Sequence, residues 1–368
     1  MPQPPLLPVV QFLDEKGVPL KGKSLPTVPD QDLILLLKTM IRVRVIDARM
    51  FKMQRQGRIA FYMSTYGEEA THIGATYALK PQDWIFPQYR EQGAAFLRGF
   101  PLQLFVNQIF GNAGDIQKGR QMPMHWGSRD HNLVTISSTL GTQIPQSVGT
   151  AYAMKLKKQD AVTLAFFGEG TTSEGDFHAA CNFAGVYKTP SVLFCRNNGW
   201  AISTPFNRQT AAESIAVKSF AYGIEGVRVD GNDIFAVIEV TRQARERAVS
   251  GGGATLIEAL TYRLSSHSTS DDPSAYRSED RDDGPWKDRE PLVRLRHYMM
   301  KAGLWTSDEE KAWEQECEKE LIECIKQAES IGKPDADIMF DDIYDEIPWH
   351  LQEQKEMMQS FLKMEGKR

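Results

Sequence analysis

Two short strings in this chain carry groups able to hold a divalent cation beside a phosphorylated ligand. The first is Gly168-Glu169-Gly170, after the apolar run Ala161 to Phe167; the second is Arg196-Asn197-Asn198, after Ser191 to Cys195. Glycines let a backbone approach phosphate oxygens closely. Glu169 and Asn198 offer two hard oxygen ligands, and Mg²⁺ is commonly held by a few protein oxygens together with phosphate oxygens. Residues 171 to 196 leave room for one helix and one strand. Both strings can therefore return to one edge of a parallel sheet, where ligand crevices form at the carboxyl ends of strands. The competing reading is a dinucleotide site, because Gly168-Glu169-Gly170 begins like a Rossmann fingerprint. Ser173 stands where the third glycine belongs, and Arg196-Asn197-Asn198 replaces the ribose-binding acid after the next strand. A nucleotide-dependent oxidoreductase using Arg196 for a 2′-phosphate is thus the alternative from another class.

The elements around these strings alternate. Val148 to Lys157 reads as a helix of small residues, Ala161 to Phe167 as a strand, Asp176 to Tyr187 as a helix and Ser191 to Cys195 as a strand. Gly226 to Val229, Ile234 to Val249 and Ala254 to Arg263 continue as strand, helix and strand. This order predicts an α/β fold, a mostly parallel sheet covered by helices on both faces. Upstream, prolines from Pro2 to Pro29 predict an irregular arm. Asp30 is placed to cap a long helix with Leu33, Leu36, Leu37, Met40 and Ile41 at helical spacing, ending near Gln56. A second helix is expected over Glu68 to Leu79. Residues 111–145 show no periodicity, and long ordered loops are usually functional. Residues 265–290 are polar and charged, which predicts a mobile loop, with Glu279 to Asp283 as a solvated acidic run. From Pro291 the chain reads as helical, Ser307 and Glu310 fitting a capping box. The expected organisation is an arm over residues 1–29, an α/β body over 30–290 and a helical C-terminal region over 291–368.

Composition excludes several classes. Apolar and charged fractions of 41% and 25% over 368 residues are those of an ordinary globular protein with room for a sizeable core. A formal charge of −5 gives no attraction to nucleic acid or to an anionic membrane. No apolar run approaches the length of a membrane span. The start, MPQPPLLPVV, lacks Lys and Arg and resembles neither a secretory signal nor a transit peptide. A cytoplasmic chain is expected, or the mature form of an organellar one, which in a eukaryote means the mitochondrial matrix. Cys181, Cys195, Cys317 and Cys324 fall at no metal-ligand spacing and read as structural thiols.

Gly168-Glu169-Gly170 with Asn197-Asn198 resembles the thiamine diphosphate motif, with Glu169 where Asp is commoner. Longer strings sharpen the resemblance: GRIAFYMSTYGEE (57–69), QYREQG (88–93), QKGRQMP (117–123), TISSTLGTQIPQ (135–146), FGEGTTSEGD (167–176), RNNGWAIST (196–204) and SHSTSDDPSAYRS (266–278). From about residue 30 to the C-terminal helices, the chain is similar to the alpha subunits of the branched-chain 2-oxo acid dehydrogenases.

That resemblance implies a thiamine diphosphate-binding fold and oxidative decarboxylation of 2-oxo acids, with the acyl group passed to a lipoyl arm of an acyltransferase component. It implies Mg²⁺ held by Glu169, Asn198 and the carbonyl of Trp200. Arg90 and Arg196 would meet the diphosphate, with Tyr89, Gly170 and Thr171 in the same cleft and Ser138 and Leu140 at the aminopyrimidine end. Phe61, Gln88 and Tyr89 match positions near the substrate side chain. A structural K⁺ site matches Ser137, Thr139, Thr142 and Gln143, with Thr139 where proline is expected. His267 matches the catalytic histidine on the cofactor side, as hydrogen-bond donor or proton shuttle, with Ser266 where a second histidine is usual. Ser268 and Ser278 match regulatory phosphorylation positions. His72, His125, His131 and His178 receive no role. The carboxylate that activates the aminopyrimidine comes from a beta subunit in this family, which assembles as two alpha and two beta chains. A pyruvate or acetoin dehydrogenase alpha subunit is the nearest alternative, and a non-catalytic scaffold of a multienzyme complex is another.

Overall fold

The computed structural model describes residues 6–278 and 283–366. Its centre is a six-stranded sheet built from β1 (Val9–Val10), β2 (Trp84–Phe86), β3 (Thr163–Gly168), β4 (Ser191–Asn197), β7 (Glu225–Asp230) and β8 (Thr255–Leu260). Two further strands, β5 (Trp200–Ala201) and β6 (Thr204–Pro205), form a separate hairpin. The large sheet runs β1-β7-β8-β4-β3-β2, and every pairing in it is parallel. β3 and β4 lie inside the sheet with helices on both faces, which is why TLAFF and SVLFCR read as unbroken apolar runs rather than as an alternation. Phe166 and Phe194 meet edge to face with ring centroids 5.3 Å apart on one side of the sheet; Phe167 turns to the other side and packs on Phe177.

Helices Asp30–Arg55, Glu69–Tyr77, Ile234–Arg247 and Pro291–Lys301 pack together, joining Leu33, Leu36, Leu37, Ile41, Ile73, Phe235 and Leu295 into one core cluster. Helices Gln143–Leu156 and Gly175–Tyr187 cover the opposite face through Ile144, Val148, Phe177 and Cys181. Full burial of a Leu, Ile or Phe is worth about 1.5–3 kcal/mol, so each helix is held by several such anchors. No helix among the described residues is long and apolar enough to cross a membrane. Cys181, Cys195 and Cys317 are buried free thiols, and Cys324 is half-buried.

Several local expectations shift. Val9–Val10 pairs with Arg228 and Val229, so the proline-rich arm contributes an edge strand; Pro8 lies just outside the paired residues. Asp30 is the first helical residue rather than the cap. Pro29 holds the cap position with no side-chain bond, and Asp30 and Asp32 instead favour the positive end of the helix dipole. The capping box sits one residue earlier than read: Thr306 caps the Ser307–Ser330 helix and Glu309 reaches back to it. The helix read from Val148 begins at Gln143, and helices Gln92–Leu97 and Leu102–Phe110 were not read at all. The segment after Leu264 is tied down rather than loose. Arg277 donates to the carbonyls of Arg263 and Ser265, and Asp271 accepts from the His267 backbone and the Tyr276 hydroxyl. Composition underrated it because arginine and tyrosine, not aliphatics, hold it. The acidic residues Glu279 to Asp282 lie outside the described residues.

Candidate functional site

The tips of β3 and β4 are neighbours, with Gly168 opposite Arg196 in the register. Beyond them the chain turns sharply on both sides. Glu169 opens a single 3₁₀ turn to Ser173, and Asn198 leads into the β5–β6 hairpin. The two expected cation ligands meet there: the Asn198 backbone N–H donates to Glu169 Oε2 at 3.3 Å. Glu169 is 1% exposed, and its other oxygen, Oε1, has no hydrogen-bond partner among the described residues. Burial pushes its pKa up to about 7, with the Glu68 carboxylate adding to the effect. The Asn198 amide is fixed at both ends: Nδ2 donates to Glu68 Oε1 at 2.8 Å, and Oδ1 accepts from the Trp200 N–H at 3.1 Å. A side chain at Gly170 would meet Ala201, since a Cβ there would lie 2.6 Å from the Ala201 Cβ.

These groups open on a cavity of about 520 Å³. Each residue expected at the cofactor or the substrate side chain lines it: Phe61, Gln88, Tyr89, Arg90, Ser138, Leu140, Glu169, Gly170, Thr171, Arg196, Asn198, Trp200 and His267. Gln88 also tethers the β3 tip, its Oε1 accepting from the Gly168 N–H at 2.6 Å. Arg196 is buried and spans two carboxylates, Glu68 at 2.8 Å and Glu91 at 2.7 Å, while its Nε has no partner among the described residues. Arg90 donates to the carbonyls of Ser64 and His267 and lies 3.2 Å from His267 Nδ1. Arg263 approaches the same nitrogen at 3.4 Å. Both neighbours are obligatory donors, so Nδ1 accepts and the imidazole carries its proton on Nε2. Burial first, then the charges of Arg90 and Arg263, depress the His267 pKa to about 2. The ring is therefore neutral in the ligand-free chain, with its proton on Nε2.

The residues expected around K⁺ do not line the cavity. Thr142 Oγ1 donates to the Thr139 carbonyl at 3.0 Å and Gln143 Nε2 to the Phe166 carbonyl at 3.0 Å, at the turn entering the Gln143–Leu156 helix with Ser137 just upstream. Ser268 is buried, its Oγ accepting from the Ser270 N–H, whereas Ser278 is exposed.

Sequence reasoning missed Arg263, Met63, Met122, His125, Glu174 and Ile202 on the cavity wall. Arg263 had a signal, since it was read at the carboxyl end of a strand. His125 had none in an aperiodic stretch. Its Nδ1 lies 3.1 Å from the Pro123 carbonyl, which only accepts, so Nδ1 carries the proton and Nε2 can take the Ser138 hydroxyl at 2.8 Å.

The donor set fits a Mg²⁺–diphosphate group. A buried carboxylate oxygen lacks a partner among the described residues, Asn198 meets the same carboxylate through its N–H, and Gly168 and Gly170 flank Glu169. Arginines line the same wall. Among the described residues no group of three or more His, Cys, Asp or Glu side chains is placed to hold a metal, so a cation here would depend on ligand oxygens to complete its shell.

The family model described as "Dehydrogenase E1 component" matches residues 37–337. The chain is 46% identical over 360 residues to the 2-oxoisovalerate dehydrogenase subunit alpha, mitochondrial, of Pan troglodytes, covering 98% of this chain and 81% of that protein. It is 44% identical over 354 residues to the protein of the same name from Caenorhabditis elegans, covering 96% and 82%. Against the 2-oxoisovalerate dehydrogenase subunit alpha 2, mitochondrial, of Arabidopsis thaliana, identity is 44% over 349 residues, covering 95% and 74%. With a match over residues 37–337 and relatives 44–46% identical along almost its whole length, this chain belongs to the dehydrogenase E1 component family.

Proposed function

We propose that this chain is the alpha subunit of a thiamine diphosphate-dependent dehydrogenase of branched-chain 2-oxo acids such as 3-methyl-2-oxobutanoate. The observation that carries the reading is the meeting of Glu169 and Asn198 at one sheet edge, with a buried carboxylate oxygen left unpaired beside a cavity. Relatives named 2-oxoisovalerate dehydrogenase subunit alpha support the branched-chain substrate over pyruvate. In a eukaryotic source the corresponding compartment is the mitochondrial matrix.

In this reading Glu169 and Asn198 hold Mg²⁺ by their side-chain oxygens and Trp200 by its carbonyl. Arg90, Arg196 and His267 face the diphosphate, with Tyr89, Gly170 and Thr171 beside it. Bound thiamine diphosphate supplies the electron sink for decarboxylation. The protein's part is orientation and charge. Gln88 and Gly168 hold the β3 tip in place. Neutral His267 presents its Nε2–H as a donor toward the reacting carbon without bringing a further positive charge. Ser138, its hydroxyl directed to His125, and Leu140 receive the aminopyrimidine. Phe61, Met63 and Tyr89 exclude water around the substrate side chain. Ser137, Thr139, Thr142 and Gln143 form the candidate K⁺ site, and Ser268 and Ser278 the candidate phosphorylation sites.

The only carboxylates among the described cavity-lining residues are Glu169 and Glu174. Glu169 is engaged with the cation, and Glu174 stands at the start of the Gly175–Tyr187 helix. The activating carboxylate is accordingly assigned to a beta subunit, in a tetramer of two alpha and two beta chains that delivers the acyl group to a lipoyl-bearing acyltransferase. The test is co-expression with that partner. Turnover of 3-methyl-2-oxobutanoate well above that of pyruvate, dependent on both chains and on Mg²⁺, is expected. Turnover by the single chain, or retention of Mg²⁺-dependent cofactor binding in Glu169→Ala, would overturn the reading.

A further inference from the structure

Glu68 precedes the Glu69–Tyr77 helix and is fully buried, and it lies outside the strings that define the cofactor motif. Its place is set by the backbone before it. Gly67 adopts φ +95°, where a side chain would be strained, and a Cβ there would collide with the Tyr262 carbonyl. The chain thus passes tightly against the end of β8 and delivers the carboxylate under the crevice. One oxygen, Oε1, accepts from Asn198 Nδ2 at 2.8 Å; the other, Oε2, accepts from Arg196 Nη1 at 2.8 Å.

An asparagine amide has two nearly isosteric ends, of which only the oxygen can ligate a cation. Turned over, Asn198 would offer an NH₂ group to the metal and repel it. A carboxylate only accepts, so Glu68 takes the Nδ2 end of the amide, in agreement with the Trp200 N–H that donates to Oδ1. We infer that Glu68 is a positioning residue of this site, bridging Asn198 and Arg196 and thereby fixing which atom of the Asn198 amide faces the cation. This rests on the Mg²⁺–thiamine diphosphate reading above.

A glutamine at this position has one oxygen for two donors. In Glu68→Gln the oxygen serves Arg196 or Asn198 and the NH₂ confronts the other, so only the Trp200 N–H still holds the Asn198 amide in its orientation. Asn198→Asp places a carboxylate against Glu68 and is repelled. The double variant E68Q/N198D restores complementarity with reversed polarity: the introduced amide donates to the introduced carboxylate, accepts from Arg196, and an oxygen still faces the cation. The experiment uses the complex with the beta subunit and titrates Mg²⁺ at fixed thiamine diphosphate, reading cofactor binding by protein fluorescence. Groups that orient metal ligands typically change affinity about 10–100-fold when altered. Expected is a half-saturating Mg²⁺ concentration raised about tenfold in each single variant and returned to within a few-fold of wild type in the double. A misfolded Glu68→Gln chain would not be repaired by a second substitution, so recovery separates positioning from general damage. Wild-type Mg²⁺ dependence in Glu68→Gln, or a double variant as weak as both losses combined, overturns the inference. Absence of any Mg²⁺-dependent binding in the wild-type complex overturns instead the cofactor reading beneath it.

Discussion

The Arg90 guanidinium lies 3.2 Å from His267 Nδ1 and Arg263 3.4 Å from it, and both charges add to burial in keeping the imidazole neutral. Because the folded-state pKa is about 2 and an unfolded histidine titrates near ~6.5, the unfolded chain binds the additional proton between those values. Stability contributed by keeping His267 neutral is fully present above pH ~6.5 and is lost progressively as pH falls below it. His267→Gln removes this contribution. Urea unfolding of the ligand-free chain at about pH 7.5 and about pH 5.5, on either side of that value, should show a smaller loss of stability in the variant than in wild type. An equal or larger loss would mean that folding does not lower the proton affinity of the imidazole. His72, also buried and held far below its usual pKa by burial and by Arg196, contributes equally to both proteins and cancels from the comparison.

A second expectation concerns the turn after β3. Gly170→Ala places a methyl group 2.6 Å from the Ala201 Cβ, closer than carbon atoms tolerate, and must push the β5–β6 hairpin away from Glu169. Cofactor affinity should fall by about tenfold or more, in proportion to an overpacking cost of about 1–3 kcal/mol. Adding Ala201→Gly should recover most of it. Binding calorimetry on the assembled enzyme decides, and a double variant no better than Gly170→Ala would remove the steric explanation.

A third follows from Asp47, buried in the first long helix. Its carboxylate accepts from the Tyr62 hydroxyl at 2.7 Å, the Ser64 hydroxyl at 2.8 Å and the Thr65 N–H at 2.7 Å. Asp47→Ala leaves these donors unpaired, at a cost of about 3 kcal/mol or more, while Asp47→Asn retains one acceptor and should lose less. Chemical denaturation measures both. The same segment supplies the Ser64 carbonyl to Arg90, and Tyr62 exchanges backbone and hydroxyl bonds with Thr269 beside His267. Weakened cofactor binding should therefore accompany the lost stability. A change below about 1 kcal/mol in Asp47→Ala would show that water replaces the carboxylate.

Much of the architecture was legible because parallel strands buried on both faces announce themselves as apolar runs, and β3, β4 and β8 fell where those runs fell, while the half-buried β7 was read from the shorter Gly226 to Val229. β2 was not, since three residues, Trp84 to Phe86, carry too little pattern to separate from a loop. β1 was hidden by a proline-rich surrounding in which two paired valines leave no pattern. The proposed cation ligands were legible as a spacing, and the cavity lining followed from strings resembling a known family. Glu68 and His125 were not legible. Their importance lies in the partner each side chain meets, Asn198 in one case and Ser138 in the other, and those partners lie elsewhere in the chain. The segment after Leu264 misled for a related reason: its anchors are polar, and composition registers polarity as looseness.

Those anchors carry one more consequence. Arg277 grips the backbone carbonyl oxygens of Arg263 and Ser265. Every amino acid provides that oxygen. As far as this grip is concerned, the path of the strap beside His267 is indifferent to which side chain occupies position 265, whereas it depends on the guanidinium at position 277.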